Sequence, residues 1–180
     1  MTDILRITAH HEAAHAVVLY RTAGHAGGHM SIVARPDSGD LGHAADGCSD
    51  SSNMDHLEAV VISCYAGACA QRQIDAGHGD DGCDRDNEMA GDVLHLAGWE
   101  HREREFRERA DILVRRHWLE IVAVAEELLR VHALDMTEIE LIADAVAGDP
   151  DASLAQYRAN VGPSLEKWRA GFLSGGGDGK

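Results

Sequence analysis

His11-Glu12-Ala13-Ala14-His15 stands near the start of the chain, inside the run from Ile4 to Tyr20, which contains neither Gly nor Pro. That run reads as one helix. On a helix, residues four apart lie one turn above each other on the same face, so His11 and His15 can present two imidazoles to one metal ion. Glu12, one residue past the first histidine, is angled toward a water in the metal's open position, where it would act as general base. Zinc suits this donor set, because imidazole is a good zinc ligand and the bound ion brings the pKa of water down to about 7. The residues around the histidines are Ala13, Ala14, Ala16, Val17, Val18 and Leu19. A helix apolar on its other faces belongs in the core, and two imidazoles buried there need partners that a metal can supply.

The 180 residues are enough for one domain with a proper core. A net charge of −15 argues against a nucleic-acid backbone or an anionic membrane surface as partner. Aromatics make up only 4% of the chain while Ala and Gly are frequent, which favours close-packed helices over a β-sandwich. Cys48, Cys64, Cys69 and Cys83 form no C-x-x-C pair, and neither a secretory leader nor a run of membrane-spanning length is visible. The expectation is a cytoplasmic protein with reduced thiols serving as small buried hydrophobes. Cys83, in a polar loop, stands apart from the other three.

Beyond the motif helix, Met30 to Arg35 reads as a strand, ended by Pro36-Asp37-Ser38-Gly39-Asp40, and a second short strand around Leu41 to Ala45 returns as a hairpin. Met54 to Ala76 is a helix whose Ala66-Gly67-Ala68 segment lets another helix approach closely. A further helix runs from Asp84 to about Ala97. One long helix then follows the charged stretch Glu100 to Arg109 and continues to Val131. His132 to Asp135 reads as a turn, Thr137 to Ala147 as a capped helix, and Ser153 to Phe172 as a helix interrupted at Gly162-Pro163. The fold class is therefore mainly α, with a small strand pair beside the motif helix. Residues 1–150 form the domain, 151–173 a helical appendage and 174–180 a disordered Gly-rich tail.

A catalytic zinc needs a third protein ligand. His25, which follows Gly24, is one option. The acidic loop and helix start Gly82-Cys83-Asp84-Arg85-Asp86-Asn87-Glu88-Met89-Ala90 is the stronger one, because it can present a carboxylate without burying it unpaired. His10, His29, His43, His78, His95, His101, His117 and His132 read as surface or core histidines, and Trp118 and Trp168 as packing.

The order HEAAHA, the strand Ser31 to Arg35 with Pro36 and Leu41-Gly42 beyond it, Tyr65-Ala66-Gly67-Ala68-Cys69-Ala70-Gln71, and Gly82 to Ala90 resembles the peptidase domain of the FtsH-type zinc metalloproteases. The likeness covers roughly Ile4 to Ala147. It implies a helical zincin-type domain with His11, His15 and Asp86 as zinc ligands and Glu12 as catalytic base. It also implies a strand near Ile32 and Val33 along which a polypeptide substrate lies by β-addition. Ala14 stands where the family has glycine, Gln71 where it has a glutamate beside the site, and Arg85 where it has asparagine; Asp84 competes with Asp86 as ligand. The family's ATPase module and membrane segments have no counterpart in these residues, so the expectation is a zinc metalloendopeptidase acting on unfolded or extended polypeptides without its own ATPase. A separate unfoldase or regulator and a homo-oligomer are the partners this leaves open. The rival expectation is a non-catalytic acidic regulatory or binding module that keeps the fold and metal site and meets a basic partner.

Overall fold

A computed structural model describes residues 4–25, 27–33, 43–45, 53–77 and 82–173. Within them the chain is mainly helical. The first helix, α1 (Ile4–Ala23), is buried at every position from Ile7 to Leu19, which is what the apolar setting of its histidines requires. The second, α2 (Met54–Ile74), begins at Asn53, whose side chain accepts from the His56 amide, and is continuously buried from Ala59 to Gln71. These two helices form the centre of the molecule. His15 meets Ser63 and His11 meets the Gly67 position, so the helices pack with opposite chain directions.

The remaining helices enclose this pair. The short α3 (Asp84–Ala97) opens after Gly82, which has φ +82°, and ends at Gly98 in the left-handed region. A 3-10 turn (Glu100–Arg102) leads into α4 (Glu103–Arg116); Arg102 at its start and Arg109 within it each donate to Glu58 of α2 at 2.7 Å. The expected single helix from there to Val131 is in fact two. It breaks at His117 (ψ 21°), and α5 (Trp118–Val131) sets off afresh with the His117 ring paired to Glu120 at 2.9 Å. The break brings Trp118 against the His10 ring and Ile121 into the core.

Among the described residues, three short strands make one sheet in the order β2-β1-β3. In it β1 (His29–Ser31) lies between β2 (His43–Ala45) and β3 (Ala133–Asp135), antiparallel to both. The hairpin partner is therefore present. The strand at Met30 is shorter than the sequence suggested, and residues 34–42 lie outside the described residues. The segment expected to be a turn at His132 to Asp135 is a strand instead, entered through His132 at φ +65°. Three residues without alternation carry no strand signal, and only pairing with β1, about a hundred positions earlier, fixes their conformation.

Asp135 then caps α6 (Met136–Ala147) in a full capping box with Glu138, close to the expected start. The last helix, α7 (Leu154–Leu173), runs through Pro163 without the expected interruption. Arg158 and Arg169, on either side of that proline, both donate to Glu138, a fully buried carboxylate, and Arg169 also donates to the Ala133 carbonyl on β3 at 2.9 Å. Anchored on both sides, α7 tolerates the single helical hydrogen bond that proline removes. No helix among the described residues is long and apolar enough to cross a membrane. The expected tail at 174–180 and Cys48 lie outside the described residues.

Candidate metal centre

Three side chains from two distant segments meet at one point. His11 and His15 project from the same face of α1, with their Nε2 atoms 2.9 Å apart. Asp86, in the first turn of α3, brings Oδ2 to 3.0 Å from the first and 3.3 Å from the second. Asp84 is exposed and His25 stacks on His56, so neither joins the group. Asp86 is thus the acidic residue of the Gly82–Ala90 stretch that the fold delivers.

The geometry answers whether a metal fits. His15 Nδ1 donates to the Ser63 carbonyl at 2.7 Å, which leaves Nε2 of the neutral ring as a bare lone pair facing His11 Nε2 and the Asp86 carboxylate. Electron-rich atoms converging this closely in a buried place need a positive charge among them, either a proton or a metal ion. Ligands placed tetrahedrally around an ion at zinc-like bond lengths stand about 3.3 Å apart. The observed 2.9–3.3 Å is already near that separation, so the three groups can hold an ion with little rearrangement.

Without an ion, a proton takes the role. Burial alone would depress the His15 imidazole, but the Asp86 charge and hydrogen bond, with help from Glu12 and the Ser63 carbonyl, outweigh it and raise the pKa to about 9. Burial, and then the charge on His15, lowers His11. Asp86 is raised by burial yet carried well below the usual carboxylate range, because the His15 charge and the hydrogen bonds from both rings dominate. Its position in the first turn of α3 places it where the helix dipole also favours an anion.

The supporting residues come from α2. Ser63 holds His15 reciprocally, its Oγ donating to the His15 carbonyl at 3.0 Å while its own carbonyl accepts from the ring. Gly67 makes room, since a Cβ there would lie 2.6 Å from His15 Nε2 and 2.6 Å from His11 Cε1. Gln71, one turn further along the same face, is buried, and its carbonyl oxygen accepts from the Cys83 thiol at 3.2 Å. Cys83 is itself buried, in contrast to the exposed loop position its neighbours suggest. Glu12 is buried beside the pair, near enough for its charge to bear on His15. Sequence reading missed Ser63, whose part is played by a backbone carbonyl that leaves no mark in residue type. Gly67 had a legible signal in its Ala-Gly-Ala setting.

Ile32 and Val33 do not lie along an open strand. β1 is the central strand, the Ile32 amide donates to the His132 carbonyl at 3.2 Å, and the Val33 amide donates to Ser31 Oγ at 3.0 Å. Both amides thus have an acceptor within the protein. No family model matches the chain, and neither does any curated protein.

Proposed function

We propose that this chain is a zinc metalloendopeptidase of zincin type, built like the FtsH-type peptidase domain, that cleaves unfolded or extended polypeptides. The observation that carries the reading is the meeting of His11, His15 and Asp86 at one point, on the same buried helix turn that holds Glu12. His11, His15 and Asp86 would hold the zinc, which when bound supplies Lewis acidity toward water and a peptide carbonyl. Glu12 takes the proton of the attacking water and passes it to the departing amine. Ser63 orients the His15 ring, and the Ala and Val residues of α1 keep bulk water from its other faces. The ligand side chains are only 8–19% exposed, so a peptide bond reaches them in an extended strand and not on a folded surface.

The test is cleavage of an unfolded protein by wild type beside Glu12→Gln, with zinc supplied and ATP omitted. Glu12→Gln keeps the three ligands and loses the base, so it should bind zinc and fail to cleave. Zinc uptake without cleavage by wild type would replace the peptidase reading with a non-catalytic acidic binding module. Equal cleavage by both proteins would remove Glu12 from the chemistry.

A further inference from the structure

Between the end of α5 and α7 lies a cavity of about 450 Å³, a volume suited to a small organic ligand. Arg130, Arg158 and Arg169 line it together with the apolar residues Val131, Ala170 and Leu173, and Glu166 is the one carboxylate among the described residues of the lining. The lining thus carries three positive charges against one negative, a local excess of the sign opposite to the chain's net −15. Glu127 and Glu138 are not part of it; they hold the guanidiniums from the protein side. Arg169, with its side chain only 7% exposed, is fixed at Nε by the Ala133 carbonyl and at Nη2 by Glu138, and Arg158 is fixed by Glu127 and Glu138. Guanidiniums pinned in this way are already ordered before a ligand arrives. Donors remain for that ligand. Arg130 uses Nε and Nη2 on Glu127, and its Nη1 makes no hydrogen bond among the described residues. Each Nη group carries two hydrogens, and Nη1 of Arg158 and Nη1 of Arg169 each donate once, to Glu127 and to Glu166. The bond to Glu166 is the one most easily given up, because that carboxylate is 74% exposed and an ion pair open to solvent adds little.

We propose that this cavity binds an organic carboxylate carried on a compact apolar group. The ligand's oxygens displace Glu166 from Arg169 and take up the free hydrogens of Arg130 and Arg158, while its apolar end packs on Val131, Ala170 and Leu173. A planar carboxylate matches the guanidinium fork, whereas inorganic phosphate leaves the apolar wall uncovered and an amine is repelled by the excess positive charge. A free branched-chain acid and the C-terminal residue of a peptide share this chemistry. The site has no residue in common with His11, His15 and Asp86, and the inference stands whether or not the chain binds zinc.

The experiment titrates the full chain with isocaproate and with a tetrapeptide ending in leucine, the peptide both as free acid and as C-terminal amide. Phenanthroline, a neutral chelator, is present so that the peptide stays intact, and binding is read by calorimetry and by NMR. Wild type should bind isocaproate saturably, with contacts from the ligand's methyl groups to Leu173. Binding of the peptide acid but not of its amide would name a peptide C-terminus as the source, and binding of isocaproate alone would name a free acid. Arg130 is 62% exposed and bonded to Glu127 alone, so it can be changed without uncovering the buried Glu138. Arg130→Met should weaken isocaproate about tenfold, the scale of one charge-assisted hydrogen bond. Glu166→Gln should tighten it about threefold by removing the competing carboxylate. The absence of saturable binding by wild type, or equal binding of peptide acid and amide, would overturn the proposal. So would unchanged affinity in Arg130→Met or affinity not raised in Glu166→Gln. The wild-type titrations need no substitution, and melting of the ligand-free variants separates a folding defect from lost affinity.

Discussion

Gly67 and His15 are in contact that no other residue type at position 67 would allow: the first carbon of any side chain would stand 2.6 Å from His15 Nε2. The same carbon would also strike His11, so the meeting of His11, His15 and Asp86 depends on an absence in α2 as much as on the side chains of α1.

Gly67→Ala is therefore expected to push both imidazoles off their positions. Overpacking of this kind costs about 1–3 kcal/mol. The stability loss should come with a fall in bound zinc per chain, read by elemental analysis of protein purified without a histidine tag. A variant with full zinc content and unchanged melting would show that α1 and α2 separate without penalty.

Asp86→Asn and Asp84→Asn should part company. Asp86 lies within 3.3 Å of both ring nitrogens while Asp84, two residues earlier, is exposed and outside the group. Removing the carboxylate of Asp86 should weaken zinc binding by at least the ~10–100-fold that an outer partner commands. Asp84→Asn should bind as wild type. Chelator competition on the two proteins decides it, and equal losses would assign the carboxylate to the loop as a whole.

The metal-free protein should have a pH profile set by the same cluster. His15 has its folded pKa raised to about 9 from an ordinary value of 6.5, so its contribution to stability is complete below that ordinary value and is lost as pH climbs through about 9. Asp86, depressed on folding, contributes above the usual carboxylate range and loses that contribution in acid. Both contributions are whole between roughly pH 5 and 6.5, but burial holds His11 and His10 neutral and so costs stability below their ordinary value of 6.5; melting of the zinc-free protein should therefore be highest near pH 6.5. Zinc must displace the proton on His15, so binding at pH 7.5 should release close to one proton. Calorimetry in buffers of different ionisation enthalpy measures this, and no proton release would mean that His15 is neutral in the free site.

Arg169→Met should destabilise the fold while sparing the metal. Arg169 and Arg158 share the fully buried Glu138, and removing one partner of a buried ion pair costs about 3 kcal/mol or more. Denaturant titration should show that loss, and zinc affinity at a temperature where the variant is folded should match wild type. Zinc affinity lost together with stability would tie α7 to the centre.

The positions of His11, Glu12 and His15 on one helix follow from the sequence alone, because their relation is local: four residues make one turn whatever surrounds them, and the alanines and valines between them mark the helix as core. The same local physics places α2, α3 and the capping box of α6 close to where the residues predict them. Tertiary structure had to decide everything that depends on a partner distant in the chain. It selects Asp86 over Asp84 and His25, since only packing of α3 against α1 and α2 says which carboxylate arrives. It converts Ala133–Asp135 from a turn into a strand through pairing with β1, and so places Ile32 beside an engaged strand and not an open one. It breaks the expected long helix at His117, where Glu120 takes the ring and Trp118 turns against α1. It lets α7 continue past Pro163 by anchoring both flanks on Glu138. Spacing along a chain encodes which side chains share a helical face, but which faces meet is set by burial and pairing summed over the whole fold.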